Sequence, residues 1–286
     1  MPSATLITVA PTGAESAKSD APALPVTIEE LVATAKACEA VGAAVVHVHV
    51  RDDAGAPTLD LGRVSAAISG LREATDCVVQ VSTGGAVTDS EADRLRVLDA
   101  APDSGSLTCG TINFGDEVFL NRWPFMEALY LAMREREIVP EFEIFDLGQI
   151  ASMNRLLDRH GAPFGGHVHA DLVMGVPGGM PGTLEALAAC VAALPNEASW
   201  SATGVGRSTL PVALGALAAG GHLRVGMEDT LTFAPGRPVR DNAELVERAA
   251  DLARLAARPP MTADDARAML GIKDRRRTPT QTKAKA

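Results

Sequence analysis

The clearest chemical feature of the sequence is a pair of histidines, His47 and His49, separated by one valine in the run AAVVHVHVRD. Residues i and i+2 of a β-strand face the same side, so both imidazoles would project together if this run is a strand. Two neighbouring imidazoles are typical ligands of one metal ion, and of zinc in particular. The alternative is a pair of buried, hydrogen-bonded histidines, and we favour the metal. Arg51 and Asp52 follow at once and would orient the site from outside the ligand set.

A second group of candidate residues lies in the segment HLRVGMEDT near the C-terminus. Arg224 and Glu228 are an even number of residues apart and share a face if the strand continues. Glu228 would then be a third ligand beside His47 and His49, and three protein ligands leave the open position of a catalytic zinc site. Asp229 would serve as a base held by Arg224. Taken alone, a Glu-Asp pair at a strand end is typical of a solvated turn.

A second histidine pair, His167 and His169, has the same spacing. It could bind a second metal, extend the first site, contact substrate or be satisfied by hydrogen bonds. Two such pairs also suggest a metal-dependent barrel hydrolase that uses a zinc-bound hydroxide. No lysine or further histidine is predicted at a strand end to complete a binuclear site, since His160 and His222 fall at the opposite ends of their predicted elements.

Four further segments carry glycine or hydroxyl groups, and each is a weak signal alone. Ser82-Thr83-Gly84-Gly85 could cradle a carboxylate with its amides and hydroxyls. The segment 106–108 (Ser-Leu-Thr) lies on a predicted strand, and 175–181 (GVPGGMP) is a long loop that lets a bulky ligand approach the backbone. Gly204-Val205-Gly206-Arg207 precedes a predicted helix, whose N-terminal amides could bind a phosphate.

The elements that must position these residues repeat a short apolar run, a loop and an amphipathic Ala/Leu-rich stretch. The predicted strands are Leu6–Ala10, Ala44–Val50, Cys77–Ser82, Gly105–Cys109, Glu141–Phe145, Gly165–Ala170, Ala198–Ala202 and His222–Val225. The predicted helices are Ile28–Val41, Gly62–Thr75, Asp89–Ala100, Arg122–Glu137, Leu147–His160, Thr183–Leu194, Leu210–Ala219, Asn242–Ala257 and Ala263–Leu270. Eight alternations predict an α/β fold, a (β/α)8 TIM barrel, and an open doubly wound sheet is the alternative because periodicity alone does not close a barrel. The candidate residues then gather at the C-terminal strand ends, where barrel active sites lie.

Length and composition agree with one barrel domain over residues 1–272, followed by a polar, basic tail over 273–286 that is solvated or contacts a neighbouring subunit. The chain has 26 Lys+Arg against 36 Asp+Glu, a net charge of −10, which argues against general nucleic-acid binding. A hydrophobic fraction of 47% excludes an intrinsically disordered protein.

The sequence also predicts a cytoplasmic location. The N-terminal segment lacks the basic start and long apolar run of a signal peptide. No apolar run approaches the roughly 20 residues of a membrane span. The cysteines are far apart and form no CxxC pair, which is typical of reduced thiols; they are Cys38, Cys77, Cys109 and Cys190.

Many motifs in a fixed order resemble the β-keto acid cleavage enzyme family from about residue 4 to residue 271. They are ITVAPTGAE, PALPVTIEEL, GAAVVHVHVRDDAGAPTLD, VQVSTGG, SLTCGTINFG, PEFEIFDLG, GVPGGMPGT, GVGRSTLPVALGALAAGGHLRVGMEDT and NAELVERA. The resemblance implies a zinc-dependent (β/α)8 enzyme, usually a homotetramer, with acetyl-CoA as co-substrate. It implies conversion of a β-keto acid and acetyl-CoA into acetoacetate and a new acyl-CoA. The absence of GxGxxG after the first strand agrees with chemistry that needs no dinucleotide.

Matched motif by motif, the resemblance implies one Zn²⁺ per subunit, with ligands His47, His49 and Glu228. Asp229 matches the general base. The groups that match its charged and hydroxyl partners are Arg224, Glu15 and Ser82. The residues that match the pocket for the substrate's carboxylate and keto group are Ser82, Gly84, Gly85 and Ser106, with Thr108 as an alternative to Ser106, and Glu143 matches an acidic residue of the family's site.

One position departs from the family pattern. His167 fits the usual sixth strand, whereas His169 stands where a different residue is expected, and we interpret this as a sign of a different acyl substituent. The reaction that the family implies competes with two other classes. A metal-dependent hydrolase would act without acetyl-CoA, and a non-catalytic metal- or carboxylate-binding barrel would have no use for Asp229 beside the ligands.

Overall fold

The computed structural model describes residues 3–275, and within them eight parallel strands close into a barrel. The strands are β1 (Ile7–Val9), β2 (Val45–Val48), β3 (Val78–Val81), β4 (Ser104–Thr108), β5 (Val139–Ile144), β6 (His169–Met174), β7 (Ser199–Gly204) and β8 (His222–Val225). The barrel closes because β1 pairs with both neighbours: Thr8 lies opposite Val45 of β2, and Ile7 lies opposite Leu223 of β8. The predicted (β/α)8 fold is confirmed.

The helices follow the strands in turn and surround the barrel. They are α1 (Ile28–Val41), α2 (Leu61–Ala74), α3 (Glu91–Arg96), α4 (Trp123–Glu135), α5 (Leu147–His160), α6 (Leu184–Ala193), α7 (Thr209–Ala219), α8 (Asn242–Leu255) and α9 (Ala263–Leu270). The third helix is shorter than predicted because the chain tightens into a 3₁₀ turn over Val97–Ala100. A second 3₁₀ turn, Gly206–Ser208, precedes α7.

Helix ends follow the capping residues of the sequence. The Thr27 hydroxyl accepts a hydrogen bond from the Glu30 amide, and the Glu30 carboxylate accepts one in return, which completes a capping box at the start of α1. Thr183 and Asp241 cap α6 and α8 through the same kind of side-chain acceptor. Gly42 ends α1 with a φ of 125°, a conformation that glycine adopts without strain.

Within residues 3–275, three antiparallel hairpins at the C-terminal side of the barrel were not predicted. They pair Val50–Arg51 with Pro57–Thr58, Ile112–Phe114 with Glu117–Phe119, and Thr232–Ala234 with Arg237–Pro238. Each follows a barrel strand, so together they raise the wall around the barrel's mouth. Their strands are only two or three residues long, too short for a periodic signal in the sequence.

The sixth predicted strand, Gly165–Ala170, is wrong by about four residues, because the strand runs over His169–Met174. Gly165 and Gly166 have φ values of 85° and 78° and form a turn, in which the Gly166 amide donates to the Pro163 carbonyl. This shift places His167 before the strand and His169 at its first residue, far from the strand's C-terminal end.

Aliphatic side chains fill the layer between strands and helices, but the barrel interior itself is polar. Side chains from adjacent strands bond to one another there: Gln80 with His47, and Ser201 and Thr203 with Asp171. No helix within residues 3–275 is long and apolar enough to span a membrane. Of the predicted tail, residues 276–286 lie outside the described residues, while Lys273 forms an ion pair with Glu137.

Candidate active site

Three potential metal ligands meet at the mouth of the barrel. His47 is in β2 and His49 directly follows it, while Glu228 lies in the loop after β8. The Nε2 atoms of His47 and His49 are 3.8 and 3.6 Å from the two carboxylate oxygens of Glu228, and one ligand atom from each residue lies within 4.8 Å of the others. Gly13 permits this approach, since a Cβ atom there would lie 2.6 Å from Glu228 Cγ.

The protonation states of these groups fit a divalent metal. Burial lowers the pKa of His47 to about 3 and also lowers that of His49, so both rings are neutral at pH 7 and their contacts with Glu228 are not ion pairs. Burial raises the pKa of Glu228, but the groups around it, Arg224 foremost, together outweigh burial and lower it to about 2. The buried Glu228 Oε2 atom has no hydrogen-bond partner within the described chain. Two neutral imidazoles, one carboxylate and an unsatisfied ligand atom form a donor set suited to zinc.

Gln80 orients the first of these ligands. It lies directly opposite His47 in the register of β2 and β3, and its Oε1 atom is 2.5 Å from His47 Nδ1. A neutral ring that donates from Nδ1 presents the lone pair of Nε2 toward Glu228. Sequence reasoning missed Gln80, although its place two residues before Ser82 on an alternating strand is a signal that it points into the barrel.

Arg224 and Asp229 form the second half of the site. Arg224 Nε and NH2 donate to the two carboxylate oxygens of Asp229 at 3.3 and 3.0 Å, and NH2 also donates to Glu228. Burial alone would lower the pKa of Arg224, but the surrounding acids, Asp229 and Glu228 foremost, together outweigh it and raise that pKa well above its usual value, so the guanidinium stays charged. One arginine therefore connects the metal-ligand set to the candidate base.

The environment of Asp229 is that of a general base active near neutral pH. Burial raises its pKa to about 7, while Arg224 opposes that rise. The turn that presents it is fixed by Gly226, where a Cβ atom would lie 1.9 Å from the Ala10 carbonyl oxygen, so only glycine fits. The Asp229 amide donates to the Gly226 carbonyl and closes the turn.

Two further acids lie below Arg224 inside the barrel. Arg224 NH1 is 3.3 Å from Glu143 Oε1, and the Thr108 hydroxyl donates to the other Glu143 oxygen at 2.9 Å. Asp171 lies beside Glu143 in the register of β5 and β6 and accepts bonds from the Ser201 and Thr203 hydroxyls. Sequence reasoning missed Asp171, which is fully buried and raises the pKa of Arg224 further.

A cavity of about 230 Å³ opens above these groups. The predicted site residues that line it are Glu15, His47, His49, Ser82, Gly84, Gly85, Glu143, Arg224, Glu228 and Asp229. Glu15 is exposed on the loop after β1, and the ion-pair partners of Arg224 are the acids described above rather than Glu15. Gly85 has a φ of 62°, and a Cβ atom there would lie 2.2 Å from Asp89 Oδ2.

Two predicted pocket residues lie behind the cavity wall. The Ser106 hydroxyl accepts from the Thr83 amide at 3.3 Å, and the Thr83 hydroxyl donates to the Ser106 carbonyl, so Ser106 braces the loop that carries Ser82. Thr108 is bonded to Glu143 instead of facing the cavity. Neither is among the residues that line the cavity.

The second histidine pair lies at the opposite end of the barrel. His167 Nε2 and His169 Nδ1 are each 2.7 Å from the Ser199 hydroxyl, and the His169 ring lies 6.1 Å from that of His222, at the start of β8. The interpretations that this pair extends the first metal site or contacts substrate are therefore wrong, and so is the interpretation of His169 as a sign of a different acyl substituent. The error has the same origin as the misplaced sixth strand.

The closed barrel, with buried carboxylates, an arginine and candidate metal ligands at its C-terminal mouth, is that of a (β/α)8-barrel enzyme. Its sequence matches the profile of the β-keto acid cleavage enzyme (BKACE) family over residues 4–272, and the chain belongs to that family.

Two relatives and one solved structure are similar to this chain. It is 38% identical over 273 residues to a 3-keto-5-aminohexanoate cleavage enzyme from Acetoanaerobium sticklandii, covering 93% of this chain and 98% of that protein. It is 35% identical over 271 residues to a 3-oxoadipate:acetyl-CoA acetyltransferase from Cupriavidus necator, covering 93% and 94%. The apo structure of ObcA matches with a TM-score of 0.76 at 20% identity, over 88% of this chain and 66% of that one, which supports the fold.

Proposed function

We propose that this protein is a zinc-dependent enzyme that converts a β-keto acid and acetyl-CoA into acetoacetate and a new acyl-CoA. The observation that carries the proposal is one cavity whose wall holds both the ligand set of His47, His49 and Glu228 and the buried pair of Asp229 and Arg224. The names of the two relatives support the same reaction type.

His47, His49 and Glu228 would hold the ion. A bound zinc would supply Lewis-acid stabilisation of the negative charge that develops on a keto oxygen. Gln80 keeps His47 in the tautomer that can bind a metal. Arg224 keeps Glu228 ionised, so the ligand set carries one negative charge before the metal arrives.

Asp229 removes a proton from the carbon between the keto group and the carboxylate of the substrate. Such a proton is moderately acidic because the resulting carbanion is delocalised onto the keto oxygen. Arg224 holds the Asp229 carboxylate through two hydrogen bonds and fixes its orientation. The Ser82 hydroxyl and the backbone at Gly84 and Gly85 line the same cavity, and they hold the substrate carboxylate there.

The remaining steps exchange two acyl groups. The enolate carbon forms a bond to the acetyl carbonyl carbon of acetyl-CoA, and the CoA thiolate leaves. The thiolate then adds to the substrate's original keto carbon, and the bond from that carbon to the enolate carbon breaks. The carbanion of acetoacetate takes the proton back from Asp229, and the original acyl group leaves as its CoA thioester.

Acetoacetate formation tests the reaction directly. The purified protein, loaded with zinc, should form acetoacetate from a panel of β-keto acids only when acetyl-CoA is present. A metal-dependent hydrolase would consume the β-keto acid without acetyl-CoA, and that result would replace the proposal. Metal analysis after zinc supplementation should give one zinc per subunit, and a value near zero would overturn the ligand assignment.

We also propose that the protein forms a homotetramer and acts in the cytoplasm. Helices α6 and α7 carry large exposed apolar side chains, Leu184, Leu210 and Leu214, and Leu184 packs against Gly215 of α7. Apolar patches of this kind are typical of subunit contacts. Native mass spectrometry measures the number of subunits in the assembly. If Leu214→Lys forms a smaller assembly than the wild type, the subunit interface lies on these helices.

A further inference from the structure

The cavity above the candidate metal site has two chemically different sides. The loops and strand ends of β1, β2 and β8 supply the ionisable groups around the ligand set, and Glu143 of β5 adds one more acid beneath Arg224. The elements from β3 to β7 supply apolar side chains, which are Val87, Phe114, Phe119, Phe145, Val173, Val176, Pro177 and Val205. A substrate whose keto oxygen faces His47 and Glu228 therefore directs its acyl substituent toward hydrocarbon.

The apolar side is an organised wall rather than an exposed part of the main core. Its rings meet edge to face: the Phe114 centroid is 6.4 Å from that of Phe119 and 6.2 Å from that of Phe145. These residues form a hydrophobic cluster with Val173 and Val176 that is separate from the core between strands and helices. An apolar surface that faces a ligand cavity contributes binding energy when a ligand covers it.

The wall offers no partner for a second carboxylate. Of the residues that line the cavity, all within 3–275, none is a lysine, and Arg224 is the one arginine. Arg224 is already bonded to Glu143, Glu228 and Asp229. A carboxylate on the acyl substituent would therefore lose its hydration without gaining a cation, which is costly in a buried site.

A cationic substituent is no better matched. Two acids line the cavity besides Glu228 and Asp229. Glu143 already accepts hydrogen bonds from Arg224 and Thr108, and Glu15 lies on the loop after β1, where the Arg51 guanidinium interacts with its charge. On the apolar side, the Phe119 ring already stacks with the buried Arg94 guanidinium at 4.7 Å. That face is not available to hold an ammonium group.

We propose that the acyl substituent of this enzyme's β-keto acid is uncharged and apolar, seated against Phe114, Phe145 and Val173. This rests on the proposed function, because it assigns the substrate class of the same site. It separates the chain from relatives whose names specify an amino-substituted or dicarboxylic substrate.

Three substrates with the same six-carbon chain test the inference: 3-oxohexanoate, 5-amino-3-oxohexanoate and 3-oxoadipate. In the proposed reaction all three substrates form acetoacetate with acetyl-CoA, and only the acyl-CoA product differs. One assay for acetoacetate therefore compares their kcat/KM values directly. We expect 3-oxohexanoate to be preferred over both charged substrates by about 100-fold. Equal or better turnover of either charged substrate would overturn the apolar assignment and leave the reaction intact. No acetoacetate from any of them, while zinc is bound, would overturn the proposed function itself.

A charge placed on the wall gives a second measurement. Phe114 is half-buried, so Phe114→Lys can extend its ammonium group into the cavity, and it should shift the 3-oxoadipate to 3-oxohexanoate ratio of kcat/KM by at least tenfold toward 3-oxoadipate. Leu120→Lys is the matched control, because Leu120 is exposed beside the same hairpin and does not line the cavity. Each ratio is internal to one variant and is independent of the fraction of folded protein. An unchanged ratio in Phe114→Lys would contradict the proposal.

Discussion

The guanidinium of Arg224 holds the carboxylate of Asp229 through two hydrogen bonds, from Nε at 3.3 Å and from NH2 at 3.0 Å, with both side chains buried. The same NH2 group donates to Glu228, so the proposed base and a proposed metal ligand share one cation. Planar, bidentate contact of this kind fixes orientation as well as charge, which a lysine would not do. The arrangement makes the two functions of the site depend on one side chain.

Replacement of Asp229 by Asn separates these functions. The amide keeps the size and part of the hydrogen bonding to Arg224 but cannot accept the substrate proton. We expect kcat to fall by about 10²- to 10⁴-fold, the usual contribution of a positioned general base. The zinc content should stay at the wild-type value, because Asp229 is outside the ligand set. Steady-state kinetics with metal analysis checks both, and unchanged turnover would remove Asp229 from the base role.

The pH dependence of catalysis should report the buried carboxyl. The base must be ionised to act, and burial raises the pKa of Asp229 to about 7. We therefore expect kcat/KM to rise about tenfold per pH unit below that value and to reach a plateau above it. A profile measured from pH 5.5 to 9 checks this, and constant activity down to pH 5.5 would show that another group takes the proton.

Gln80 should matter for metal affinity although it does not bind the metal. Gln80→Leu removes the acceptor that holds His47 Nδ1. We expect the Kd for zinc to increase 10- to 100-fold, as for other partners of metal-binding histidines. The matched control is His167→Asn, which alters the histidine pair at the far end of the barrel and should leave the Kd unchanged. Competition with a chromogenic chelator measures both, and equal Kd values would contradict the orienting role.

Loss of the Arg224 charge should destabilise the fold. In Arg224→Met the carboxylates of Glu143, Glu228 and Asp229 lose their shared cation inside the barrel. Removing one partner from a buried ion pair costs roughly 3–5 kcal/mol. Arg122→Met is the control, because its pair with Glu91 is exposed and is worth about 1 kcal/mol or less. Chemical denaturation of the two variants without added metal should separate them, and equal losses would contradict the shared-cation arrangement.

Much of this site follows from local spacing. Strand alternation places His47 and His49 together, and α1, α5 and α9 have their predicted ends because their capping residues are local in sequence. The pairing of Gln80 with His47, by contrast, depends on the register between two strands that are 33 residues apart. Neither partner carries a sequence signal for that register, so the contact could not be predicted.

The misplaced sixth strand has a related cause. The run around His167 is apolar enough for a strand, but the positive φ values at Gly165 and Gly166 turn the chain before pairing begins. A shift of four residues preserves the facing of alternate side chains, so periodicity does not detect it. It moves His169 from the expected mouth to the opposite end, where the ring lies 3.5 Å from Glu141.

That contact leads to a prediction about stability. Burial, followed by Asp171 and Glu143, raises the pKa of Glu141 to about 8, and burial lowers the pKa of His169 well below its usual value, so both are neutral at pH 7 and the contact is not an ion pair. In the unfolded chain Glu141 ionises near pH 4.5. Between these values the folded state binds the extra proton, so this group makes the free energy of unfolding fall as pH rises.

Glu141→Gln should remove that pH-dependent contribution, because the amide resembles the protonated acid and cannot ionise. Relative to the wild type, we expect little change in the free energy of unfolding near pH 4.5 and an increase that grows toward pH 8. The melting temperature should rise by about 2 to 4 °C for each kcal/mol of that increase. Denaturant unfolding of both proteins from pH 5 to 8.5 measures the difference. A gain that is constant over this range, or largest at pH 5, would show that Glu141 ionises normally in the folded barrel.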